Sequence, residues 1–472
     1  MSATLTLHPD RLFPAEPAAR EAARTIYKTI AGLPIVSPHG HTNPAWFADD
    51  IPFPDPSSLF IIPDHYVFRM LYSQGVKMED LGVPRVDGGP VETDKRKIWH
   101  RFAENIHLLR GTPSRMWLDH AFQAVLGITE RLTPANADKL YDHIADCLQR
   151  PEFRPRALFE RFNIEVLSTT ETPLDDLRHH KKVKASGWSR RMVTAYRPDI
   201  VVDPDTPNFL ANVAELGKIT GKDTKTWKGY LEALFDRRRY FIENGGCTST
   251  DHGHPTAFTA DLPKTEAEAL FNRVIKGNAS PADVELFRGQ MMTEMAQMSL
   301  EDGLTMQIHP GATRSYNPLV KRVFGEAKGD DIPTQTDYVH ALKPLLDRFG
   351  NERKLTIILF TLDETVYSRE LAPIAGHFPA VKLGPAWWFH DSPEGMKRYR
   401  EQVTETAGFY NTVGFNDDTR AFLSIPARHD VARRVDAGFL GRLVAEHRLD
   451  MDEALEVALD LTYRLVKKAY KL

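Results

Sequence analysis

Eight short apolar runs recur along the 472-residue chain, and helical patterns separate most of them. Most of the runs end in polar, glycine, proline or aromatic residues. Strands that alternate with helices predict parallel β-α units, and eight units predict a closed (β/α)8 barrel with functional groups at the carboxyl ends of the strands. The runs are "LPIVSPHGH" (33–41), "IEVLSTT" (164–170), "RMVTAYRPD" (191–199), "GCTSTDHGH" (246–254), "TMQIHPG" (305–311), "LTIILFTLD" (355–363), "AVKLGPAWW" (380–388) and "NTVGFNDD" (411–418).

The first gap, residues 42–163, is too long for one β-α unit and contains helical patterns such as "HYVFRMLYSQG" and "KRKIWHRFAENIHLL". We expect a helical insertion that caps the barrel mouth and has no separate core. The residues from 419 onward predict closing helices. Residues 1–472 would then form a single catalytic barrel domain that carries the 42–163 insertion.

Composition excludes several classes of protein. A net charge of −4 gives no indication of a nucleic-acid or membrane-surface partner. Two cysteines are too few for a disulfide framework or a multi-cysteine zinc site. The first twenty residues lack the features of a signal peptide, and the apolar runs are too short to span a membrane. We expect a cytoplasmic protein in which the basic run 178–191 is a solvated connecting face.

His39 and His41 end the first run with one residue between them. Side chains in a strand alternate between its two faces, so both imidazoles leave on the same side. Two neutral imidazoles at a barrel mouth can hold one divalent cation. The spacing alone is weak evidence, because roughly one such pair is expected by chance, and a second pair, His252 and His254, is present.

The last run ends in Asp417 and Asp418. The first and last strands of a closed barrel are neighbours, so a carboxylate here would lie beside the histidines of the first run. Two imidazoles and one carboxylate form a three-ligand metal site with open positions. The alternative is that either aspartate caps the helix predicted near "TRAFL".

Other polar or aromatic residues follow the predicted strands. His309 either contacts a ligand or packs in the core. Arg197 suits a substrate carboxylate, and its alternative is an ion pair with a neighbouring loop. Trp387 and Trp388 either touch a ligand or pack a lid. Three more basic residues follow Asp418, the last two with surface roles as the alternative: Arg420, Arg428 and His429.

Taken together, these blocks resemble the uronate isomerase family of the amidohydrolase superfamily, nearly from end to end. The resemblance implies a distorted (β/α)8 barrel. The H-x-H pair alone is shared with many hydrolases, whereas D-H-Y, W-W-F-x-D and D-x-R-x-F-L-S together are much more specific. The supporting blocks are "LPIVSPHGH", "DHYVFRMLYSQGV", "FNIEVLSTTETPLDDLRHH", "YRPD", "GCTSTDH", "QIHPGATRS", "WWFHDSPEGMKR" and "VGFNDDTRAFLSIPARHDVARR".

The family interconverts D-glucuronate with D-fructuronate and D-galacturonate with D-tagaturonate, so the resemblance implies a small-molecule uronate substrate and a homo-oligomer. It implies one divalent metal ion, with zinc expected, held by His39, His41 and Asp418. The implied catalytic residues are His65, Tyr66, Asp418 and Arg420, and the implied substrate-binding residues are Arg197, His309, Trp387, Trp388 and Arg428.

Moving a carbonyl from C1 to C2 requires a base near C2 and a charge stabiliser for the enediolate. Tyr66 or Asp418 could be the base. A metal-held carboxylate is a poor free base, which favours Tyr66 with His65 as its partner.

Departures from the family pattern leave the metal ligands intact. His-Gly-His stands where many relatives have His-Cys-His, and "YRLVKKAY" replaces an Asn-rich C-terminal signature, which puts a C-terminal contribution to the site in doubt. The nearest rival is a mononuclear metal-dependent hydrolase or deaminase that uses His309. The other rival is a sugar-acid binding protein without turnover.

Overall fold

The computed structural model describes residues 4–188 and 191–472, and its centre is one sheet of seven parallel strands. Each strand pairs with the next one along the chain. The predicted barrel and the first seven predicted strands are confirmed. The strands are β1 (Ile35–Ser37), β2 (Ile164–Glu171), β3 (Arg191–Tyr196), β4 (Ser249–His252), β5 (Thr305–Ile308), β6 (Ile357–Leu359) and β7 (Val381–Leu383).

The eighth predicted strand is reduced to one parallel bridge, between Leu383 and Thr412. Its continuation nevertheless closes the barrel against the end of β1. The backbone N–H of His41 donates to the carbonyl of Thr419 at 3.0 Å. The hydroxyl of Thr170, on β2, donates to the carbonyl of Gly40 at 2.9 Å. The ends of the first, second and eighth segments therefore meet at one edge.

Helices surround this sheet, and several begin at a proline preceded by a capping side chain. Ser280 and Asp283, for example, form a reciprocal capping box in front of the longest helix. A short antiparallel hairpin joins Ala312–Thr313 to Ile332–Pro333. The α-helices are Pro17–Ile30, Pro44–Asp49, Pro56–Phe60, His65–Tyr72, Lys95–Asn105, Pro113–His120, Ala137–Gln149, Pro155–Arg161, Arg178–Ala185, Asp199–Val202, Phe209–Thr220, Trp227–Gly245, Lys264–Ile275, Pro281–Asp302, Pro318–Phe324, Lys343–Phe349, Ala372–Ala375, Pro393–Ala407, Ile425–Ala445, Met451–Leu459 and Leu465–Tyr470.

Alternation along the strands separates the barrel interior from the helical layer. In β6, Ile357 and Leu359 pack with the surrounding helices, whereas Ile358 belongs to the interior cluster. That cluster also contains Val466 and Tyr470 of the C-terminal helix. The last helix therefore packs into the interior of the barrel.

The helices between β1 and β2 bury a cluster of large side chains that includes Trp99, Phe102 and Phe122. This cluster continues into the barrel through Ile35 and Ile164. The insertion and the barrel therefore share one apolar cluster, and a cap with no separate core stays a prediction. The domain boundaries at 42 and 163 stay a prediction.

None of the described helices is long and apolar enough to cross a membrane. Cys147 and Cys247 are buried free thiols. The basic run 178–191 begins as the helix Arg178–Ala185, whose lysines are exposed, and its residues 189 and 190 lie outside the described residues, as do residues 1–3 of the predicted N-terminal segment.

Candidate active site

A cavity of about 270 Å³ opens at the carboxyl ends of the strands. This volume lies near the lower end of the range for small-molecule pockets, about 300–1,000 Å³. Ten of the eleven predicted site residues line it, and they come from every part of the chain between residues 39 and 420. The ten are His39, His41, His65, Tyr66, Arg197, His309, Trp387, Trp388, Asp418 and Arg420.

Asp418 lies between His39 and His41, the two histidines that follow β1. Its Oδ1 lies 3.5 Å from Nε2 of His39 and 3.1 Å from Nε2 of His41. Its Oδ2 accepts a hydrogen bond from the indole of Trp387 at 2.6 Å. Burial raises the pKa of this carboxyl, but the two imidazoles outweigh that effect and hold the pKa well below its usual range. Asp418 is therefore an ionised carboxylate.

The backbone of Asp418 is strained. Its φ of 38° lies in the left-handed region, which costs a residue other than glycine on the order of 1–3 kcal/mol. Such conformations concentrate at functional sites, where the surrounding structure enforces them. Here the conformation aims the carboxylate at the histidines that follow β1.

Three side chains form a group that can hold a cation. One ligand atom from each of His39, His309 and Asp418 lies within 4.8 Å of the others. Nδ1 of His309 contacts Oδ1 of Asp251 at 2.8 Å, which leaves the buried Nε2 without a hydrogen-bond partner. A histidine held by a carboxylate through one nitrogen, with the other nitrogen free, is the usual arrangement of a metal ligand.

The electrostatics of these histidines also fit a cation. Burial lowers the pKa of His41 and of His309, so both imidazoles are neutral and have a lone pair to offer. Burial also acts to lower the pKa of His39, but the carboxylates of Asp418 and Asp251 outweigh it and raise that pKa. Carboxylates that favour a proton at this place also favour a metal ion.

A second group of the same composition lies beyond Arg197. It comprises Asp199, His252 and His254, whose ligand atoms also lie within 4.8 Å of one another. The guanidinium of Arg197 already pairs with Asp199 at 2.8 Å and with Asp251 at 3.0 Å. A second positive ion on Asp199 would face this guanidinium, so the first group is better suited to a cation.

His65 and Tyr66 begin the helix His65–Tyr72, whose first turn is capped by Asp64. Burial and the nearby Arg420 lower the pKa of His65 to about 3, so its imidazole is neutral. The hydroxyl of Tyr66 donates to Asp391 at 3.2 Å. Burial and the charge of Asp391 raise the pKa of Tyr66 well above its usual value. Tyr66 is therefore a neutral phenol.

The model of the glucuronate isomerase family matches residues 17–470 of this chain. The chain belongs to the glucuronate isomerase family. A uronate isomerase of Phenylobacterium zucineum is 63% identical over 472 residues, covering 100% of this chain and 98% of its own length. A uronate isomerase of Rhizobium meliloti is 64% identical over 466 residues, covering 99% of each chain.

A solved glucuronate isomerase from Caulobacter crescentus has the same fold. It superposes with a TM-score of 0.98 at 59% identity, covering 99% of this chain and 98% of the solved one. The predictions of the uronate isomerase family, of an enzyme, and of a distorted (β/α)8 barrel are confirmed. The rival prediction of a hydrolase or deaminase is not favoured by these matches.

The sequence left open that Asp417 or Asp418 caps a helix and that Arg428 and His429 lie on the surface. Both alternatives are wrong. Asp417 and Asp418 do not cap the following helical turn, because its capping position is Ala421. Asp417 instead contacts His429 at 3.0 Å. A surface role for Arg428 and His429 is also wrong, since both are buried.

Arg428 is the one predicted site residue outside the lining of the cavity. Its guanidinium lies 3.5 Å from the ring centre of Trp117 and donates to Asp391 at 2.7 Å. Asp391 also accepts the hydrogen bond of Tyr66. Arg428 therefore contacts the site through Asp391 and Tyr66, and its direct contact with substrate stays a prediction.

The sequence reasoning missed Asp251, Asp391 and Arg314, which also line the cavity. Arg314 pairs with Asp331 at 3.0 Å and lies 5.7 Å from the ring centre of Trp388. All three stand in the family blocks "GCTSTDH", "WWFHDSPEGMKR" and "QIHPGATRS". The family blocks therefore contained all three residues. Their roles could not be inferred, because these roles depend on partners that are distant in the sequence.

Proposed function

We propose that the chain interconverts aldose and ketose uronates, D-glucuronate with D-fructuronate and D-galacturonate with D-tagaturonate. One observation carries the proposal: ten residues predicted from the sequence line one cavity, with the carboxylate of Asp418 between two imidazoles. Family membership supports the same reaction.

His39, His41 and Asp418 would hold one divalent cation. His39 and Asp418 also group with His309, whose free Nε2 is a further available donor, and His41 lies 3.1 Å from Asp418. Zinc is the expected ion, because imidazole and carboxylate groups are its common ligands. The bound cation would supply positive charge that stabilises the enediolate.

The charge states of the cavity residues revise the assignment of the base. The sequence favoured Tyr66, but a neutral phenol donates a proton more readily than it accepts one. Asp418 is ionised and can accept the C2 proton, which it returns to C1. Its low pKa makes it a weak base, so this step depends on nearby positive charge that stabilises the enediolate as it forms. Tyr66 gives its proton to O1 and recovers one from O2, which balances the conversion of aldose to ketose.

The remaining cavity residues orient the substrate. Arg197 is held by Asp199 and Asp251 and reaches the cavity with 28% of its side chain exposed, so it can meet the substrate carboxylate. Arg420 lines the cavity near His65 and would stabilise negative charge at the carbonyl end. The indole of Trp387 fixes Asp418 through its hydrogen bond.

Purified protein incubated with each uronate should form ketose in a colour assay. The variant His39→Ala should form almost none, while His340→Ala, an exposed histidine outside the cavity, should match the wild type. Release of ammonia from an amine substrate would instead support a deaminase. Binding of uronate without ketose from either substrate would support a binding protein.

The dependence of kcat/KM on pH tests the role of Tyr66. If the neutral phenol is the active form, the limb between pH 7 and 9 is flat. A phenolate base with a raised pKa would instead increase the rate about tenfold per pH unit over this range. A rising limb that disappears in Tyr66→Phe would overturn the assignment. Cytoplasmic location and a homo-oligomer stay predictions.

A further inference from the structure

The C-terminal helix contacts the metal-site histidine His39 through a single intermediate residue. Tyr470, the last residue of the helix Leu465–Tyr470, is fully buried. Its hydroxyl donates to Oε1 of Gln307 at 2.9 Å. The amide nitrogen of Gln307 lies 3.4 Å from Nδ1 of His39. His39 in turn presents Nε2 to Asp418.

The barrel holds this helix firmly. The hydroxyl of Thr305, on β5, donates to the carbonyl of Ala469 at 2.7 Å. Lys467 pairs with Glu165 on β2. The side-chain amide of Asn416 donates to the hydroxyl of Tyr470 at 3.3 Å. Tyr470 is therefore placed against Gln307 by contacts from several strands.

A neutral imidazole that binds a cation through Nε2 must carry its proton on Nδ1. The amide nitrogen of Gln307 faces Nδ1, where it also donates to the carbonyl of Thr250 at 3.2 Å. That orientation suits the opposite tautomer, in which Nδ1 accepts a hydrogen bond and Nε2 carries the proton. The amide nitrogen also lies 3.2 Å from the hydroxyl of Ser249. A half-turn of the amide would place its oxygen against the Nδ1–H and the Ser249 hydroxyl, both of which can donate, and would give up the hydrogen bond to Thr250.

The hydroxyl of Tyr470 can serve both orientations, because a phenol donates and accepts hydrogen bonds. In the observed orientation it donates to the amide oxygen. After the half-turn it would accept from the amide nitrogen. Without the hydroxyl, each orientation would leave a buried polar atom without this partner.

We propose that Tyr470 and Gln307 are positioning residues that can satisfy the Nδ1–H tautomer of His39 that cation binding requires, and thereby raise the affinity of the site for its cation. The inference rests on the proposed role of His39 as a metal ligand. Partners of this kind change metal affinity by about 10–100-fold when they are removed. The C-terminal helix would thus contribute to the active site without touching substrate.

Competition with a chelator, followed by measurement of bound zinc, tests the proposal on the full-length protein. Gln307→Leu should weaken zinc affinity about 10–100-fold and Tyr470→Phe about tenfold. Each variant removes part of the relay, the hydrogen-bonded chain from Tyr470 through Gln307 to His39. Gln307→Glu should bind zinc at least as tightly as the wild type, because its oxygen accepts from Nδ1–H. Tyr410→Phe is the matched control: its hydroxyl lies on an exposed side chain and contacts Asp460, so its zinc affinity should not change.

The tautomer itself is a second readout. Nitrogen NMR of the zinc-loaded wild type should show His39 protonated at Nδ1, and this signal should be lost or mixed in folded Tyr470→Phe. Wild-type zinc affinity in folded Tyr470→Phe and Gln307→Leu would overturn the relay. So would a Gln307→Glu variant as weak as Gln307→Leu.

The variant His39→Ala separates the two proposals. If His39→Ala binds zinc like the wild type, the proposed metal site fails. If His39→Ala loses zinc but the Tyr470 and Gln307 variants keep it, only the relay fails. Thermal unfolding of each variant distinguishes lost affinity from lost structure, and Gln307→Glu preserves the volume of the side chain if Gln307→Leu does not fold.

Discussion

Two segments of this chain carry the same tripeptide, His-Gly-His, and the fold uses them differently. His39 and His41 follow β1, line the cavity and face Asp418. His252 and His254 end and follow β4, are buried, and do not line the cavity. The sequence pattern is identical, so the difference comes from the surroundings.

The register of β4 explains the outcome. Asp251 lines the cavity, and side chains in a strand alternate, so His252 points to the other face. His252 accordingly contacts Thr250, two residues earlier on the same face, at 2.9 Å. His39 and His41, in contrast, lie beyond the end of β1, where the backbone of His41 bonds to Thr419. Whether a histidine pair reaches the barrel mouth therefore depends on its position relative to the end of the strand, which the H-x-H spacing does not fix.

The largest expected effect separates the two pairs by function. His39→Ala should lose bound metal and at least about 10³-fold in kcat/KM, because it removes a ligand of the charge-stabilising ion. His254→Leu should keep one metal per chain and activity within about threefold of the wild type. Metal analysis and ketose assays measure both. Loss of metal in folded His254→Leu would show that the second histidine pair, and not only the first, holds the metal.

A pH effect on stability comes next. Burial lowers the pKa of His252 to about 3, while the unfolded chain keeps its ordinary value near 6.5. The unfolded state then binds more protons below pH 6.5, so this contribution to stability is complete above pH 6.5 and is lost as the pH falls. Between pH 7 and 5 the free energy of unfolding should fall by about 2 kcal/mol through this group.

Denaturant unfolding at several pH values measures this contribution as a difference between proteins. His252→Gln should fall less steeply than the wild type between pH 7 and 5. His340→Gln, at an exposed position, should follow the wild type. Equal slopes for all three proteins would show that His252 does not distinguish the second pair in this way.

Arg197 lies between the cavity and the buried group around His252 and His254. Its replacement should weaken substrate binding in the cavity. Arg197→Lys keeps the charge but loses the geometry that reaches Asp199 and Asp251 together. We expect KM for a uronate to rise about tenfold with a smaller change in kcat. Steady-state kinetics measure this, with Arg239→Lys, an exposed arginine outside the cavity, as the control. An unchanged KM would remove Arg197 as the carboxylate anchor.

The smallest expected effects concern the glycines at the centre of each tripeptide. A Cβ on Gly253 would come within 2.1 Å of the Arg197 guanidinium, whereas a Cβ on Gly40 would meet nothing closer than 3.4 Å. Gly253→Ala should displace Arg197 and destabilise the protein by about 1–2 kcal/mol. Gly40→Ala should stay within about 0.5 kcal/mol. Equal decreases in the free energy of unfolding for the two variants, measured by thermal unfolding, would contradict the expected difference between the two glycines.

The contacts around Gly40 also account for one departure from the family pattern. A Cβ beside Gly40 would make only ordinary van der Waals contacts, so the backbone at this position does not require glycine. The departure at the C-terminus has a different outcome. "YRLVKKAY" contains Tyr470, whose hydroxyl contacts Gln307 beneath His39. Nothing local in the sequence indicates where Tyr470 packs, because its partners lie on distant segments of the chain.

Much of the architecture follows from local pattern. The apolar runs located all seven strands of the sheet, including β4, whose run is hardly apolar. The apolar cluster that joins the 42–163 insertion to the barrel was not predicted, because it depends on how several amphipathic helices pack together. The partners of Asp391 and Asp251 were missed for the same reason: their contacts join residues far apart in the chain.

The sequence by itself determined the family, the alternation of strands and helices, and which histidines were candidates for the site. These depend on local periodicity and on residue identity. Only the tertiary structure decided which His-Gly-His pair reaches the cavity, which carboxylate meets it, and that Tyr66 is neutral. Those outcomes depend on strand register, barrel closure and burial, which arise when distant segments exclude water together.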